Sequence, residues 1–519
     1  MKYVVNDVIL QPEDSEREIR RKIATRLSIT PESFRYEIVN RNIDCVDGKT
    51  YYSIKAIVDT SAFIRDTRIG FFGPVDSLVI QPTRFKERPI IVGAGIAGLF
   101  CAYVLAKAGA RPIVLEQGGD FSDREHEIGE FEANGKGTSF SYANGLGGFS
   151  GFCGGVVFSD RLTAFGQFAL DTFLEFGAPK TLSLDGTSCL SAKEAQNVMR
   201  ALSNQIIAYG GEILLHKKVT QILTSFGKVV GVRGEDPSGK KFAYKSKMVV
   251  LASGNPTSSF LSCLKESKVK LEERPFYFGV MGELPLKDVC QAVYRSDHVP
   301  DGLPMFRFNK EGTTSTGRKS KIFCLFPGGK AVDYSSRPGE MLIEGGFPNS
   351  GSRNVLISVL LRVDEKDKAH FQGTDALRFF QNFYGSLYQS SNPFYAPVQT
   401  IKDFLSASEP LKLGKVKPTY KPGVYLLNIA STCPSFLKKD LDEVVTNFRK
   451  SFPGCNSGDD LILGFTCGKT SPIGVWQDED FHTSIKGLRA ALPPACKEET
   501  VLDEASRGIA CAFSILNRD

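Results

Sequence analysis

The chain has 519 residues, 42% of them hydrophobic and 24% charged, and a formal net charge of +6. That length exceeds what one hydrophobic core serves, so about two or three domains are expected. The modest charge, with no run of five or six basic residues, excludes nucleic acid as a default partner, and the five histidines show no paired spacing for a structural zinc.

The opening residues, MKYVVNDVILQPEDSERE, turn acidic where a secretion signal needs an apolar core. Twelve cysteines without a CxxC pair agree with reduced thiols, and together these features predict a cytoplasmic protein. Residues 1–85 read as a small α+β (ferredoxin-like) domain. Strands are expected at 3–10, 33–42 and 50–58, with a helix over 15–27 capped by Asp14 or Ser15 and a hairpin turn at Asp47 and Gly48.

Residues 89–118, PIIVGAGIAGLFCAYVLAKAGARPIVLEQG, carry the strongest signal in the chain. A short apolar strand at 90–92 runs into Gly93, Gly95 and Gly98 at GxGxxG spacing. The first glycine turns the backbone, the second admits a pyrophosphate, and the third lets the helix pack on the strand. Amides from Ile96 and Ala97 onward face the phosphates at the positive end of the helix dipole. A second strand at 113–115 delivers Glu116, followed by Gln117, where a carboxylate accepts ribose hydroxyls. The apolar length of 90–110 also suits a membrane span. Four glycines in seventeen residues, and Lys107, argue against that, and no other segment is long and apolar enough.

Residues 118–160 read as a polar, glycine-rich connection. Six glycines between 145 and 155 interleave with Phe149, Phe152, Val156 and Val157, so the backbone can lie against a flat ligand. Helical periods follow at 164–176 and 192–209, and strands at 212–216, 219–224, 229–233 and 245–251. The last ends on Ala252, Ser253 and Gly254, small residues that let the chain turn beside a bound cofactor. From about 274 to 440 the chain is rich in strands, aromatics and prolines and has no second glycine fingerprint. This predicts a substrate domain rather than a second nucleotide domain. Residues 459–519 return with an apolar strand, LILGF, and an amphipathic helix at 501–516.

The expected architecture is therefore α/β. A Rossmann-type nucleotide-binding domain (86–270, with a C-terminal return at 446–519) receives an inserted mixed α+β substrate domain (271–445) behind the small N-terminal domain. No Ser/His/Asp or Cys/His constellation is visible. Arg274 and Lys469 are candidates for an anionic substrate, with structural ion pairs as their alternative.

Several motifs recur together: NRNIDCVDGKTYYSI, RPIIVGAGIAGLF, LEQG followed by Arg124, GLGG at 145–148, and LASGN at 251–255. RPFYFGV at 274–280, FCLFPGG at 323–329, FYAPVQTIKDFL at 394–405 and KTSP at 469–472 complete the set. In this order they resemble the bacterial family of uncharacterised FAD-dependent, NAD(FAD)-utilising dehydrogenases, flavoproteins of the glutathione-reductase type. The resemblance implies FAD as cofactor, with its pyrophosphate on Gly93, Gly95 and Gly98 and its ribose on Glu116. It further implies Arg124, Gly147 and Gly148 along the pyrophosphate and ribityl chain, Val219 at the adenine edge, and Ala252, Ser253 and Gly254 beside the dinucleotide. For Arg124 a surface charge is the alternative, and for Val219 a core strand position.

The chain departs from that family at its end. Where the family has a segment of the type GEGAGYAGGI, this chain has Leu492, Pro493, Pro494, Ala495, Cys496, Lys497 and Glu498, with Pro493 at the acid's position. Proline removes an amide donor. Gly474 stands in place of an arginine, and of a cysteine pair only Cys324 remains, with Phe326 at the second place. Cys324 is the one catalytic candidate by family position, and a buried structural cysteine is its alternative. Two readings stay open. One is an oxidoreductase transferring a hydride between FAD and a small-molecule substrate, with external NAD(P)H or another carrier as partner. The other is a divergent flavoprotein fold with weak or no FAD binding that acts as a binding module. Neither nucleic acid nor a membrane is an expected partner.

Overall fold

The computed structural model describes residues 1–517 apart from 12–13, 47–48, 67–68, 72–76, 136–138, 157–162, 184–188, 256–257, 300–307, 336, 349, 390, 392–393, 452–457 and 497–498. In the N-terminal domain β1 (Lys2–Leu10) leads to α1 (Glu16–Leu27), whose first turn is closed by a capping box between Ser15 and Glu18. With β2 (Phe34–Val46), β3 (Lys49–Thr60) and β4 (Gly70–Phe71) it forms an antiparallel sheet of order β2-β3-β1-β4. This is the ferredoxin-like strand order, but no helix joins β3 to β4 among the described residues. The expected turn residues Asp47 and Gly48 lie outside the described residues. The apolar face of this sheet belongs to one core with the substrate domain, and the Tyr52 hydroxyl donates to the Val293 carbonyl at 3.2 Å.

The nucleotide domain is built on a five-stranded parallel sheet. β5 (Ile90–Val92) leads through α2 (Ile96–Lys107) to β6 (Ile113–Leu115), and β7 (Glu212–Leu214), β8 (Val249–Leu251) and β9 (Leu488–Ala490) complete the order β9-β8-β5-β6-β7. β5, β6 and β8 are buried throughout, because one face packs on α2 and other helices and the opposite face on the antiparallel strands that carry Val219, Ile222, Val229 and Val232. Their carboxyl ends open on one side, where such sheets bind ligands.

Two local readings change. Residues 118–160 are not mainly loop: α3 (Phe121–Asn134) opens with a capping box between Asp120 and Asp123, and a short α4 (Gly148–Cys153) follows the GLGG turn. The strand expected over 245–251 is two strands in different sheets. Lys241–Lys245 ends an antiparallel sheet with Lys218–Ser225 and Lys228–Glu235, and β8 starts afresh at Val249. The break falls at Ser246, whose buried hydroxyl bonds the carbonyls of Arg88 and Met248 and so competes with ladder formation.

The substrate domain holds a seven-stranded sheet in the order Phe308–Thr313, Lys319–Pro327, Asn354–Val363, Phe276–Pro285, Leu461–Thr466, Ala396–Thr400 and Val424–Leu426. Helix α5 (Ala376–Ser386) packs beside it through Phe380, whose ring lies 5.0 Å from that of Phe276. The LILGF strand thus belongs to this sheet, and residue 446 falls inside the helix Ser435–Ser451. The chain returns to the nucleotide domain only with β9 and α6 (Val501–Leu516). No helix among the described residues is long and apolar enough to cross a membrane.

α6 crosses α2 at close range. A Cβ on Gly508 would lie 2.1 Å from the Ala97 carbonyl oxygen, so only glycine fits the crossing. Gly508→Ala is expected to cost about 1–3 kcal/mol, typical of overpacking, read as an earlier midpoint in urea unfolding.

Candidate functional site

The cleft begins where β5 ends. Gly93 has φ +109, and a Cβ there would stand 2.5 Å from the Ala252 carbonyl, because the chain leaving β8 runs directly beside the turn. Gly98 lies behind it, with a Cβ position 2.1 Å from the Gly93 carbonyl. Packing alone dictates both glycines. Gly95 differs: its nearest neighbours would be 4.0 Å away, at Ala252 and Gly148, and its bare face opens into the cleft. It caps α2 without any side-chain hydrogen bond, and the first turn holds no acid, so the helix presents unmasked amides.

Glu116 is buried and receives three backbone amides, Ala94 at 2.9 Å, Gly118 at 2.9 Å and Gly145 at 3.0 Å. One carboxylate thereby ties the glycine turn, its own strand end and the GLGG loop together. That loop is further joined to the turn by Gly147, whose amide donates to the Ala94 carbonyl at 2.9 Å. Gly148 follows with φ +61, its Cβ position 3.0 Å from Gly95 Cα.

Arg124 is fully buried and does not line the cleft. Its guanidinium donates to the carbonyls of Ser141 at 2.8 Å, Leu146 at 2.5 Å, and Tyr142 and Gly148 at 3.0 Å each, above the ring of Phe152 at 4.0 Å. Burial lowers its pKa to about 10, which leaves it charged at neutral pH. The expected pyrophosphate contact is replaced by a structural one, because backbone carbonyls take four of the five guanidinium N–H groups.

The cavity measures about 400 Å³ and is lined by Gly93, Gly95, Ile96, Ala97, Glu116, Gln117, Gly148, Val219, Ala252, Ser253 and Gly254 among the expected residues. Gly98, Arg124 and Gly147 stand behind this lining. The residues fit a dinucleotide: a glycine cradle that a Cβ would fill, an uncapped helix start, and a buried Ser253 Oγ with no partner among the described residues. Gln117 is held by its amide, which donates to Asn144 at 2.8 Å.

At its other end the cleft meets groups that short-range sequence reasoning does not join. Ser150 donates to Glu504 at 2.7 Å across 354 residues, and the Phe149 ring meets Tyr334 edge-on at 5.2 Å. Lys469, at φ +55, holds its ammonium 4.5 Å from the Phe149 ring centre, and its carbonyl accepts from Asn255. Buried Glu344 accepts from the Gly345 amide and the Thr466 hydroxyl. Burial raises the carboxyls of Glu344 and Glu504, against the opposing field of Lys469, and pushes the Cys467 thiol up to about 12, so it is no thiolate at neutral pH.

Arg274 does not line the cleft. It donates to the carbonyls of Ser471 and Pro493, at 3.2 and 2.8 Å, and its guanidinium covers Gly474, where a Cβ would meet Nη1 at 2.6 Å. The missing side chain at 474 and the altered segment at 492–494 are thus bridged by one arginine. Pro493, Glu499, Glu504 and Arg507 reach the cleft, while Lys497 and Glu498 lie outside the described residues, as does the side chain of Cys324.

Residues 275–467 match the family model described as FAD-dependent protein, C-terminal domain-like, and residues 91–143 that of the NAD(P)-binding Rossmann-like domain. The cofactor is FAD. The flavoprotein has an FAD-dependent oxidoreductase-like fold. It is 26% identical over 535 residues to an uncharacterized protein of Clostridium beijerinckii, covering 99% of this chain and 98% of that one. Among solved structures it is similar to glycerol-3-phosphate dehydrogenase from Bacillus halodurans complexed with FAD, at 15% identity and a TM-score of 0.33, over 83% of this chain and 65% of that one. A flavin-dependent brominase gives 11% identity and a TM-score of 0.36, over 83% and 80% of the two chains.

Arg124→Lys is expected to cost about 2–4 kcal/mol, since one ammonium cannot serve four buried carbonyls. Unfolding of the FAD-free protein checks it, because an arginine that only bound phosphate would leave that stability unchanged. Glu344 and Glu504 keep protons in the folded state that the unfolded chain has already released. Stability therefore falls as pH rises from the ordinary glutamate range through their raised values. Glu344→Gln is expected to flatten this decline in urea unfolding measured from mildly acidic to neutral pH.

Proposed function

We propose that this flavoprotein is an oxidoreductase transferring a hydride between FAD and a small-molecule substrate, with external NAD(P)H or another carrier completing the cycle. The observation that carries this reading is one continuous cleft running from the glycine turn of the nucleotide domain to residues of the FAD-dependent C-terminal domain. Bound there, the flavin supplies two-electron chemistry that no side chain provides. The chain's own residues bind, orient and exclude water. Gly95 and the start of α2 would hold the pyrophosphate, and Glu116 keeps one lone pair free on Oε2 for a ribose hydroxyl. Phe149, Tyr334 and Lys469 wall the far end, and Glu504, protonated more readily by burial, is placed to hold a proton on Oε2 while Oε1 accepts from Ser150. The motif order supports a place among the glutathione-reductase-type dehydrogenases of bacteria.

A second reading, a binding module with weak FAD affinity, is favoured by one observation. Pro493 offers the cleft no amide, and its carbonyl is taken by Arg274. Purification separates the two. The oxidoreductase is expected to be yellow, or to become so with added FAD, and to bleach on anaerobic reduction and recover with an electron acceptor. A colourless protein that takes up no FAD defeats it.

A further inference from the structure

Besides Ser253 Oγ and Asn255 Oδ1, the cleft lining holds a third buried polar atom without a partner among the described residues. Tyr384, on α5, is 7% exposed, lines the cleft, and its hydroxyl has no hydrogen-bond partner among the described residues. Its neighbours at helical spacing on the same face, Leu377, Phe380 and Gln381, line the cleft as well. Phe276 and Leu342 stand nearby, Phe276 edge-on to Phe380 at 5.0 Å. A buried hydroxyl without a partner costs roughly 1–3 kcal/mol, so its persistence against an apolar wall calls for a ligand.

We propose that this end of the cleft is a substrate chamber for a neutral, flat, largely apolar molecule carrying an acceptor oxygen, such as an aryl ketone or aldehyde, which takes a hydrogen bond from Tyr384. The aromatic walls supply flat apolar contact and the hydroxyl sets the orientation. Burial pushes the Tyr384 hydroxyl well above its ordinary range, so it remains a donor. Anionic ligands are disfavoured. Glu340 is the charged side chain beside Tyr384 among the described lining residues, and its cation partner Arg337, at 2.8 Å, is already engaged. The assignment rests on the oxidoreductase reading for the word substrate, while the chamber itself depends only on the side chains named.

The test is calorimetry on the FAD-loaded protein with acetophenone, ethylbenzene and benzoate as probes. Acetophenone is expected to bind roughly five- to tenfold more tightly than either control, the worth of one hydrogen bond. Tyr384→Phe keeps the ring and is expected to lower acetophenone to the ethylbenzene level, leaving ethylbenzene and FAD affinity unchanged. Unchanged acetophenone affinity in the variant, a preference for benzoate, or no binding of any probe overturns the proposal. Lost FAD affinity in the variant also overturns it, by assigning the hydroxyl to the cofactor. Failure of the wild-type protein to take up FAD sinks the oxidoreductase reading instead, and the same titrations on the FAD-free protein still decide the chamber.

Discussion

The cleft depends on how the glycine loop at 145–148 is held against the βαβ turn. A backbone that lies flat beside a ligand exposes amides and carbonyls that no regular ladder satisfies, and each left buried and unpaired costs about 1–3 kcal/mol. Two opposite charges solve this from opposite sides. Glu116 collects amides, one from the loop and two from the turn and strand end, and Arg124 collects carbonyls. Neither charge needs a direct ion-pair partner, because backbone dipoles solvate both. The result is a rigid rim on which Gly95 and the start of α2 stay open.

This explains why the fingerprint glycines are unequal. Gly93 and Gly98 are spent on bringing β8 and α2 close to β5, and Gly508 does the same where α6 meets α2. Gly95 alone keeps its empty face toward the cleft. The nucleotide end is thus made of close backbone packing, whereas the far end is made of side chains that α4, the substrate domain and α6 bring together. There, burial favours the neutral forms of Glu344, Glu504 and Cys467, with Lys469 as the opposing charge.

The legible parts of the sequence were those in which neighbours in the chain are neighbours in space. GxGxxG, the flanking apolar runs and Glu116 sit within one βαβ unit, so spacing alone aligned them. α3 is announced in the sequence only by the capping box of Asp120 and Asp123, a signal that the glycines around it outweigh. Arg124 shows the converse. Its place in the motif order was visible, but not that backbone carbonyls would take four of its five N–H groups, which depends on where residues 141–148 fold back over α3.

Sequence by itself determined the nucleotide unit, its carboxylate, the single fingerprint that points to one bound dinucleotide, and the helix at 501–516. These follow from periodicity and from glycine positions whose steric reasons are local. Tertiary structure decided that LILGF joins the substrate sheet, that Arg274 fills the space over Gly474, and that Ser150, Glu504, Lys469 and Tyr384 share one cleft. Those juxtapositions link residues hundreds of positions apart, where no periodicity connects them, and only the packing of two domains and a returning C-terminal helix brings them together.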